Sequence, residues 1–292
     1  MNLIVGTGFA GSYVYRALKK AGKEDVLATV RDPGMIPAGS GADFTVCDVT
    51  DPRDIASLAA RCSGRPLTVF YFAACHNVDY LYTHPDEGRA VNLSALEAFL
   101  DAFEGAEKLF FASTDCVYGE NAPLSPKFRE TDATRPINEY GRQKKEAEQI
   151  VRDCGFTAVR FSYMLGPSLL PKKHFYDTIA GKLMQGEPVE LLDGMVRSAL
   201  SYGTAAALLI KLSELPPEKT GGTVNLCSDG EYTKYELGRM IAARIGADGA
   251  LVRPLPESEG SRFFTERRAS RLVMDNTKLK TLLDIKEILP GV

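Results

Sequence analysis

Gly6-Thr-Gly8-Phe-Ala-Gly11 follows the apolar run Leu3 to Val5 without a spacer and leads straight into a helical pattern, Gly11 to Ala21. That order of strand, glycine turn and helix narrows the fold more than any other feature of the chain. Glycine permits the tight turn and lets backbone N–H groups approach a pyrophosphate, while the helix N-terminus supplies unpaired donors and a favourable dipole. The same spacing without its strand and helix would be an ordinary turn. In this setting Gly6, Gly8, Phe9, Ala10 and Gly11 form a candidate dinucleotide-binding loop.

The rest of the first half keeps the rhythm. Strand-like runs recur at Val26 to Val30, Phe44 to Val46, Leu67 to Phe72, Leu109 to Ala112 and Ala158 to Phe161, with helical stretches at Arg89 to Phe103 and Tyr140 to Asp153. The alternation predicts an α/β fold, a Rossmann-type doubly wound parallel sheet with right-handed crossovers. After Gly166-Pro167 the pattern loosens into proline-punctuated loops, with helices expected around Phe175 to Gln185 and Tyr202 to Leu212. Thr233-Lys-Tyr-Glu236 is a capping-box pattern opening a helix to about Ile245, and Pro254 to Arg268 reads as polar loop. We expect a dinucleotide-binding domain over 1–165 and a smaller mixed α/β C-terminal substrate domain over 166–292, with 198–228 returning to the first. A chain of 292 residues, 45% of them hydrophobic, can bury such a core without a disulfide or metal staple.

Charge and cysteine usage exclude several classes. Lys and Arg total 35 against 38 Asp and Glu, a net charge of −3, so no bulk basic field would hold nucleic acid or an anionic membrane. No apolar run approaches the ~20 residues of a membrane span, and Met1 to Val5 runs directly into strand, so a cytoplasmic protein is expected. Six separated cysteines, no Cys-x-x-Cys pair and three histidines point to reduced, mostly buried thiols and to no metal.

A ribose-reading residue is expected about 20 positions beyond the glycine motif, where Arg31 and Asp32 stand. Arg31 suits adenine stacking and a 2′-phosphate; Asp32 suits free ribose hydroxyls; and Arg31-Asp-Pro33 can equally be a plain turn. The arginine favours NADP(H), with NAD(H) still open. Asp48 and Val49, after the third strand, suit an adenine edge and face, although a solvated strand-end aspartate looks the same. Ala73 and Ala74, after the fourth, are small enough for close approach of a cofactor.

Tyr140-Gly-Arg-Gln-Lys144 lies where a helix begins, and four-residue spacing puts phenol and ammonium on one face. A neighbouring cation lowers a tyrosine pKa from its usual ~10 by favouring the phenolate. Tyr140 is therefore a candidate proton donor to a carbonyl that receives hydride, with Lys144 tuning it and holding the nicotinamide ribose. Alone, the pair recurs by chance on surface helices. Ser113-Thr114-Asp-Cys-Val-Tyr-Gly119 raises its weight, because it starts at the C-terminal end of a predicted strand, where open α/β sheets place their ligands. Thr114 can bind the reacting carbonyl there.

On these residues, together with Glu130-Thr-Asp-Ala-Thr-Arg-Pro-Ile-Asn-Glu-Tyr-Gly141, the chain resembles the extended short-chain dehydrogenase/reductases acting on nucleotide sugars, over essentially its full length. It is most similar to the dTDP-4-dehydrorhamnose reductase group of 4-keto-6-deoxysugar reductases. The resemblance implies a catalytic triad of Thr114, Tyr140 and Lys144. It also implies Ala73, Ala74 and Ser162 beside the cofactor, with His76, Val78, Asp115, Tyr163 and Arg197 towards a nucleotide-sugar substrate. The activity implied is NADPH-dependent reduction of a nucleotide-linked 4-keto sugar by a single hydride transfer, and a homodimer is compatible with it. The likeness extends to nucleotide-sugar epimerases, which retain NAD, and to the regulatory β subunit of methionine adenosyltransferase, which would make the chain a non-catalytic NADP-binding subunit.

Departures from the pattern narrow the reading. Nucleotide-sugar 4,6-dehydratases share the Ser-Thr-Asp-x-Val-Tyr-Gly stretch but carry an acid where this chain has Cys116, and a neutral thiol is a poor second acid and base. The glycine motif is one residue tighter than the Gly-x-x-Gly-x-x-Gly of extended members, and Arg268-Ala-Ser-Arg271 stands where reductases commonly show Arg-Pro. Arg197, after Asp193-Gly-Met-Val, matches an arginine that contacts a nucleotide diphosphate in relatives, or is a surface arginine. Phe175 and Tyr176 are expected in a core, and Cys116 either shapes the pocket or is reactive.

Overall fold

The computed structural model describes residues 1–37, 39–122 and 125–291. The chain opens with β1 (Asn2–Val5), α1 (Phe9–Lys20), β2 (Val26–Val30), β3 (Phe44–Val46), α2 (Pro52–Cys62), β4 (Thr68–Tyr71), α3 (Val78–Thr83), α4 (Pro85–Arg89) and α5 (Ala95–Ala102). It continues through β5 (Lys108–Thr114), α6 (Glu139–Asp153), β6 (Thr157–Phe161), β7 (Tyr163–Leu165), α7 (Phe175–Met184), β8 (Val189–Asp193), β9 (Val196–Arg197) and β10 (Ala199–Ser201). The last stretch holds α8 (Tyr202–Ser213), α9 (Pro217–Thr220), β11 (Gly222–Leu226), α10 (Lys234–Ile245), β12 (Val252–Pro256), β13 (Arg271–Leu272) and α11 (Thr277–Leu283).

Seven strands form one parallel sheet in the order β11-β6-β5-β4-β1-β2-β3. This is the doubly wound Rossmann-type sheet that the alternating pattern predicts. The order runs outward from β1 in one direction and from β4 in the other, so the crevice between their C-terminal ends is the switch point where such sheets hold ligands. Strands such as β2, with all five residues buried, read as unbroken apolar runs because helices cover both faces. One face packs Leu58, Phe99, Leu100 and Val151 against Leu3, Val69 and Leu109. The other packs Val14 and Leu18 of α1 and Leu209 and Leu212 of α8 against Ile4, Phe70, Phe110 and Val159. Residues far along the chain thus complete this layer: β11 pairs with β6, and α8 lies along α1.

A further core lies apart from the large sheet. Tyr176, Ile179 and Leu183 of α7 meet Leu237 and Ile241 of α10 and the strands β8 and β12. Tyr176 is buried there with Phe175 at its margin, as expected of aromatics opening a helix. Thr233 and Glu236 form the expected box: Glu236 N donates to Thr233 Oγ1 at 3.2 Å and Thr233 N to Glu236 Oε2 at 2.8 Å. Gly246, left-handed at φ +70°, ends α10.

Three expectations need correction. Arg89 to Phe103 is not one regular helix, because a π-helical turn at Ala90–Ser94 separates α4 from α5. Pro254 to Arg268 is not all loop: Val252–Pro256 pairs in parallel with Val189–Asp193. Prolines disguise that strand in the sequence and are tolerated because each member of a two-stranded sheet is an edge. Helix α2 was absent from the expected elements although Asp51 caps it and Pro52 occupies its first turn, a standard helix start. No described helix is long and apolar enough to cross a membrane.

Candidate active site

The loop after β1 is built on close approach. Gly6 has φ +89°, and a Cβ there would lie 2.7 Å from Ala73 N, so only glycine lets the loops after β1 and β4 press together. Gly8 is the opposite case, with nothing within 4 Å of a Cβ built on it. It caps α1 without a side-chain hydrogen bond, and the first turn carries no acidic residue, so the first N–H groups have no side-chain partner among the described residues. Gly6, Gly8, Phe9, Ala10 and Gly11 all line a cavity of about 610 Å3 over the strand ends. Arg31, Asp48, Val49, Ala73, Ala74, Tyr140 and Lys144 line it too.

The Arg31-Asp32 pair divides its tasks. Asp32 Oδ1 accepts from Gly34 N at 2.9 Å and caps the short turn Pro33–Met35. Arg31 is exposed at the cavity and has no hydrogen bond or ion pair among the described residues. Asp48 Oδ1 accepts from Thr50 N and Oγ1 at 2.9 and 2.7 Å, which holds its carboxyl below the usual carboxylate range. An uncapped helix N-terminus, a bare glycine and a cation at the second strand end together fit a dinucleotide with an added phosphate.

A second cavity of about 370 Å3 adjoins the first. Tyr140, His76 and Ser113 line both, so the phenol stands where the two spaces meet. Thr114, Asp115, Val78, Tyr163 and Arg197 line the second, which brings together every residue expected on the substrate side. Ser162, expected beside the cofactor, lines this second cavity instead, with its Oγ buried and unpartnered among the described residues.

Local packing carries Tyr140 to Thr114. Asn138 caps α6 by accepting from Gly141 N at 2.9 Å. A Cβ on Gly141 would sit 2.5 Å from the Cys116 carbonyl oxygen, so the helix start rests directly on the turn after β5. Burial, with Cys116 and Asp115 adding to it, pushes the Tyr140 phenol well above its ordinary value, and hydrogen bonding from Thr114 opposes the rise. The expected lowering by Lys144 is not what the structure shows. Lys144 Nζ donates to Ala112 O at 2.7 Å and lies 4.3 Å from the centre of the Phe111 ring, so its charge is spent on β5. Burial brings the ammonium down to about 7, against the pull of Glu148.

Thr114 Oγ1 donates to Asp115 Oδ1 at 3.1 Å and accepts from Cys116 N at 3.2 Å. Burial raises the Asp115 carboxyl, with Arg197 opposing. The Cys116 thiol is pushed up to about 12 by burial and by Asp115, so it shapes the pocket as a neutral group. Among the six free cysteines Cys47, Cys62 and Cys227 are buried, Cys75 and Cys116 are half-buried, and Cys154 is exposed. No cluster of three His, Cys, Asp or Glu able to hold a metal ion occurs among the described residues.

Sequence reasoning missed several lining or supporting groups. Asn92, in the π-helical turn, accepts from Cys75 N at 2.8 Å and donates to Cys75 O and Gln143 Oε1 at 2.9 Å each. It ties the loop bearing Ala73, Ala74 and His76 to α6; a lone asparagine inside an apolar helical stretch was the available signal. His174 lies 4.5 Å from Phe9, ring to ring, and with Tyr202 lines both cavities. Lys234, Phe264 and Arg268 line the second cavity from the distal part of the chain, and no local pattern marks them for it.

Residues 1–288 match the family model of the RmlD substrate binding domain. A probable low-salt glycan biosynthesis reductase, Agl14, of Haloferax volcanii is 26% identical over 267 residues, covering 87% of this chain and 86% of that protein. Among solved structures, the dTDP-4-dehydrorhamnose reductase of Bacillus anthracis in complex with NADP superposes with a TM-score of 0.81 at 19% identity, over 99% of this chain and 95% of that one. The UDP-glucose 4-epimerase of Thermus thermophilus in complex with NAD superposes with a TM-score of 0.80 at 23% identity, over 96% and 92%. At such identities the two structures establish the shared fold.

Proposed function

This chain belongs to the RmlD substrate binding domain family, within the nucleotide-sugar reductases and epimerases, and on that premise we propose that it is an NADPH-dependent reductase of a nucleotide-linked 4-keto sugar. The observation that carries the reading is the position of Tyr140, at the junction of the cavity over the glycine loop and a cation-lined one. We assign dinucleotide binding to residues 1–165 with 198–228, and substrate binding mainly to the remainder of 166–292.

When bound, NADPH supplies the hydride. Gly8, Phe9 and Ala10 offer backbone N–H groups to its pyrophosphate, and Arg31 meets the 2′-phosphate. Thr114 Oγ1 turns from Asp115 to the substrate carbonyl and fixes it beside Tyr140. The phenol, raised by desolvation, keeps its proton until an alkoxide forms at that carbonyl; the alkoxide is the stronger base, so transfer from Oη is downhill. Lys144, anchored to Ala112 O, stands on the cofactor side of the phenol and holds the nicotinamide ribose. Cys116 is too weak an acid to drive loss of water, so the reaction ends after one reduction.

The test is NADPH oxidation against a panel of nucleotide 4-keto-6-deoxysugars, with Tyr140→Phe alongside. The variant should lose about 10²- to 10⁴-fold in kcat while still binding NADPH. Sugar interconversion without net NADPH consumption would favour an epimerase, in keeping with the fold shared with UDP-glucose 4-epimerase. Dinucleotide binding with no turnover of any substrate would favour a regulatory subunit.

A further inference from the structure

Three cationic side chains, Arg197, Lys234 and Arg268, line the second cavity together. Two are held in place by the protein. Arg197 donates to Val196 O at 2.9 Å and to Ala269 O, and Arg268 pairs with Asp79 at 3.0 Å. Lys234 has neither a hydrogen bond nor an ion pair among the described residues.

Its surroundings disfavour the charge it carries. Lys234 is the first residue of α10, where the helix dipole presents its positive end. Its Nζ lies 4.5 Å from the centre of the Phe264 ring, 5.8 Å from Phe175 and 5.9 Å from Tyr163. These rings supply weak cation–π attraction but no anion. Two charged groups act on it, and the cavity's other ionisable groups, His76, Cys116, Tyr140, His174 and Tyr202 among them, supply no anion beside it. Arg197 of β9 and Arg268, just before β13, repel it, and burial together with these two brings its ammonium down to about 8. Tyr163 of β7 is neutral, its phenol raised by burial, and so is Tyr232 just before α10. Asp115, the cavity's carboxyl, is itself raised by burial and answers to Arg197. On α10, Glu236 is turned back to cap Thr233 N.

We infer that Lys234 is a specificity-determining cation whose counter-charge is the substrate's own diphosphate, and that binding of a nucleoside diphosphate is therefore coupled to proton uptake at its Nζ. The inference rests on the second cavity being the nucleotide-sugar site. A dianionic diphosphate drawn in by the two arginines replaces repulsion at Lys234 with attraction, so its affinity for a proton rises on binding. Burial and the two arginines bring the Lys234 ammonium of the empty site down to about 8, so a bound diphosphate shows as proton uptake at pH values above that.

The probes are UDP and dTDP, titrated calorimetrically into the NADPH-bound protein at pH 8.5 in two buffers of different ionisation enthalpy. Wild type should take up a substantial fraction of one proton per nucleotide. Lys234→Gln should bind roughly tenfold or more weakly, the loss of one charge-assisted contact, without proton uptake. Lys234→Arg should retain affinity but take up no proton, since guanidinium is charged throughout. NADPH binding by both variants reports their folding. Normal binding by wild type with no proton uptake, or unchanged affinity in Lys234→Gln, overturns the role of Lys234 and leaves the reductase reading intact. Failure of wild type to bind either nucleotide overturns both.

Discussion

The Glu148 carboxylate takes two parallel hydrogen bonds from Arg160, Nε at 2.8 Å and Nη2 at 2.7 Å, with both side chains almost wholly out of solvent. Ser113 Oγ donates to the same carboxylate at 2.5 Å, and the Arg160 guanidinium lies 4.4 Å over the Tyr118 ring. The pair therefore joins α6, β6 and the end of β5 directly beneath Thr114.

Removing one partner leaves a buried charge uncompensated. Glu148→Ala should cost about 3–5 kcal/mol of stability, measured by urea unfolding. A loss under about 1 kcal/mol, the scale of an exposed pair, would mean that water reaches Arg160 once the carboxylate is gone.

Lys144 predicts how stability depends on pH in the absence of nucleotide. An unfolded lysine titrates near ~10.4, whereas the buried ammonium of the folded protein is brought down to about 7. Below pH 7 both states hold the proton and the full cost of burying the charge is present. Between the two values the unfolded chain binds more protons, so stability should rise with pH across this window. Lys234, brought down to about 8, adds the same sign over the upper part. Urea midpoints between pH 7 and pH 9.5 should climb in wild type and climb less in Lys144→Met; equal slopes would contradict the assignment.

Arg31 predicts the choice of dinucleotide. Asp32 is engaged by Gly34 N, so on the proposed reading Arg31 is the member of the pair that would meet a 2′-phosphate. Arg31→Ala should weaken NADPH binding about ten- to hundredfold, one charge-assisted contact, and leave NADH within about twofold. Fluorescence titration of both nucleotides decides it, and a parallel loss of both would place Arg31 on adenine rather than on the phosphate.

Thiol chemistry should separate two cysteines. The Cys116 thiol, on a half-buried residue, is pushed up to about 12 by desolvation and by Asp115, whereas Cys154 is exposed at the end of α6. Iodoacetamide at pH 8 should label Cys154 and spare Cys116 by mass spectrometry; early labelling of Cys116 would show the pocket to be more open than its packing indicates.

Features whose cause is local were legible in the sequence. The glycine turn, a helix beginning at the Tyr140 segment, the Thr233-Glu236 box and the Tyr140-Lys144 spacing follow from backbone conformation and helical period, and stand as expected; the Asn138 cap of α6 is an addition from the structure. The π-helical turn at Ala90–Ser94 and the strand Val252–Pro256 did not follow, because Asn92 and the prolines there answer to partners elsewhere.

By itself the sequence determined that this chain forms a Rossmann-type sheet with Tyr140 near its strand ends. Only the tertiary structure decided what surrounds the phenol: Lys144 bonded to Ala112 O, Ser162 facing the second cavity, and Lys234 and Arg268 converging on Arg197. Local spacing acts within a few residues, whereas burial and charge repulsion depend on groups brought together from opposite parts of the chain. A lysine at a helix start reads as solvent-exposed until packing encloses it with two arginines.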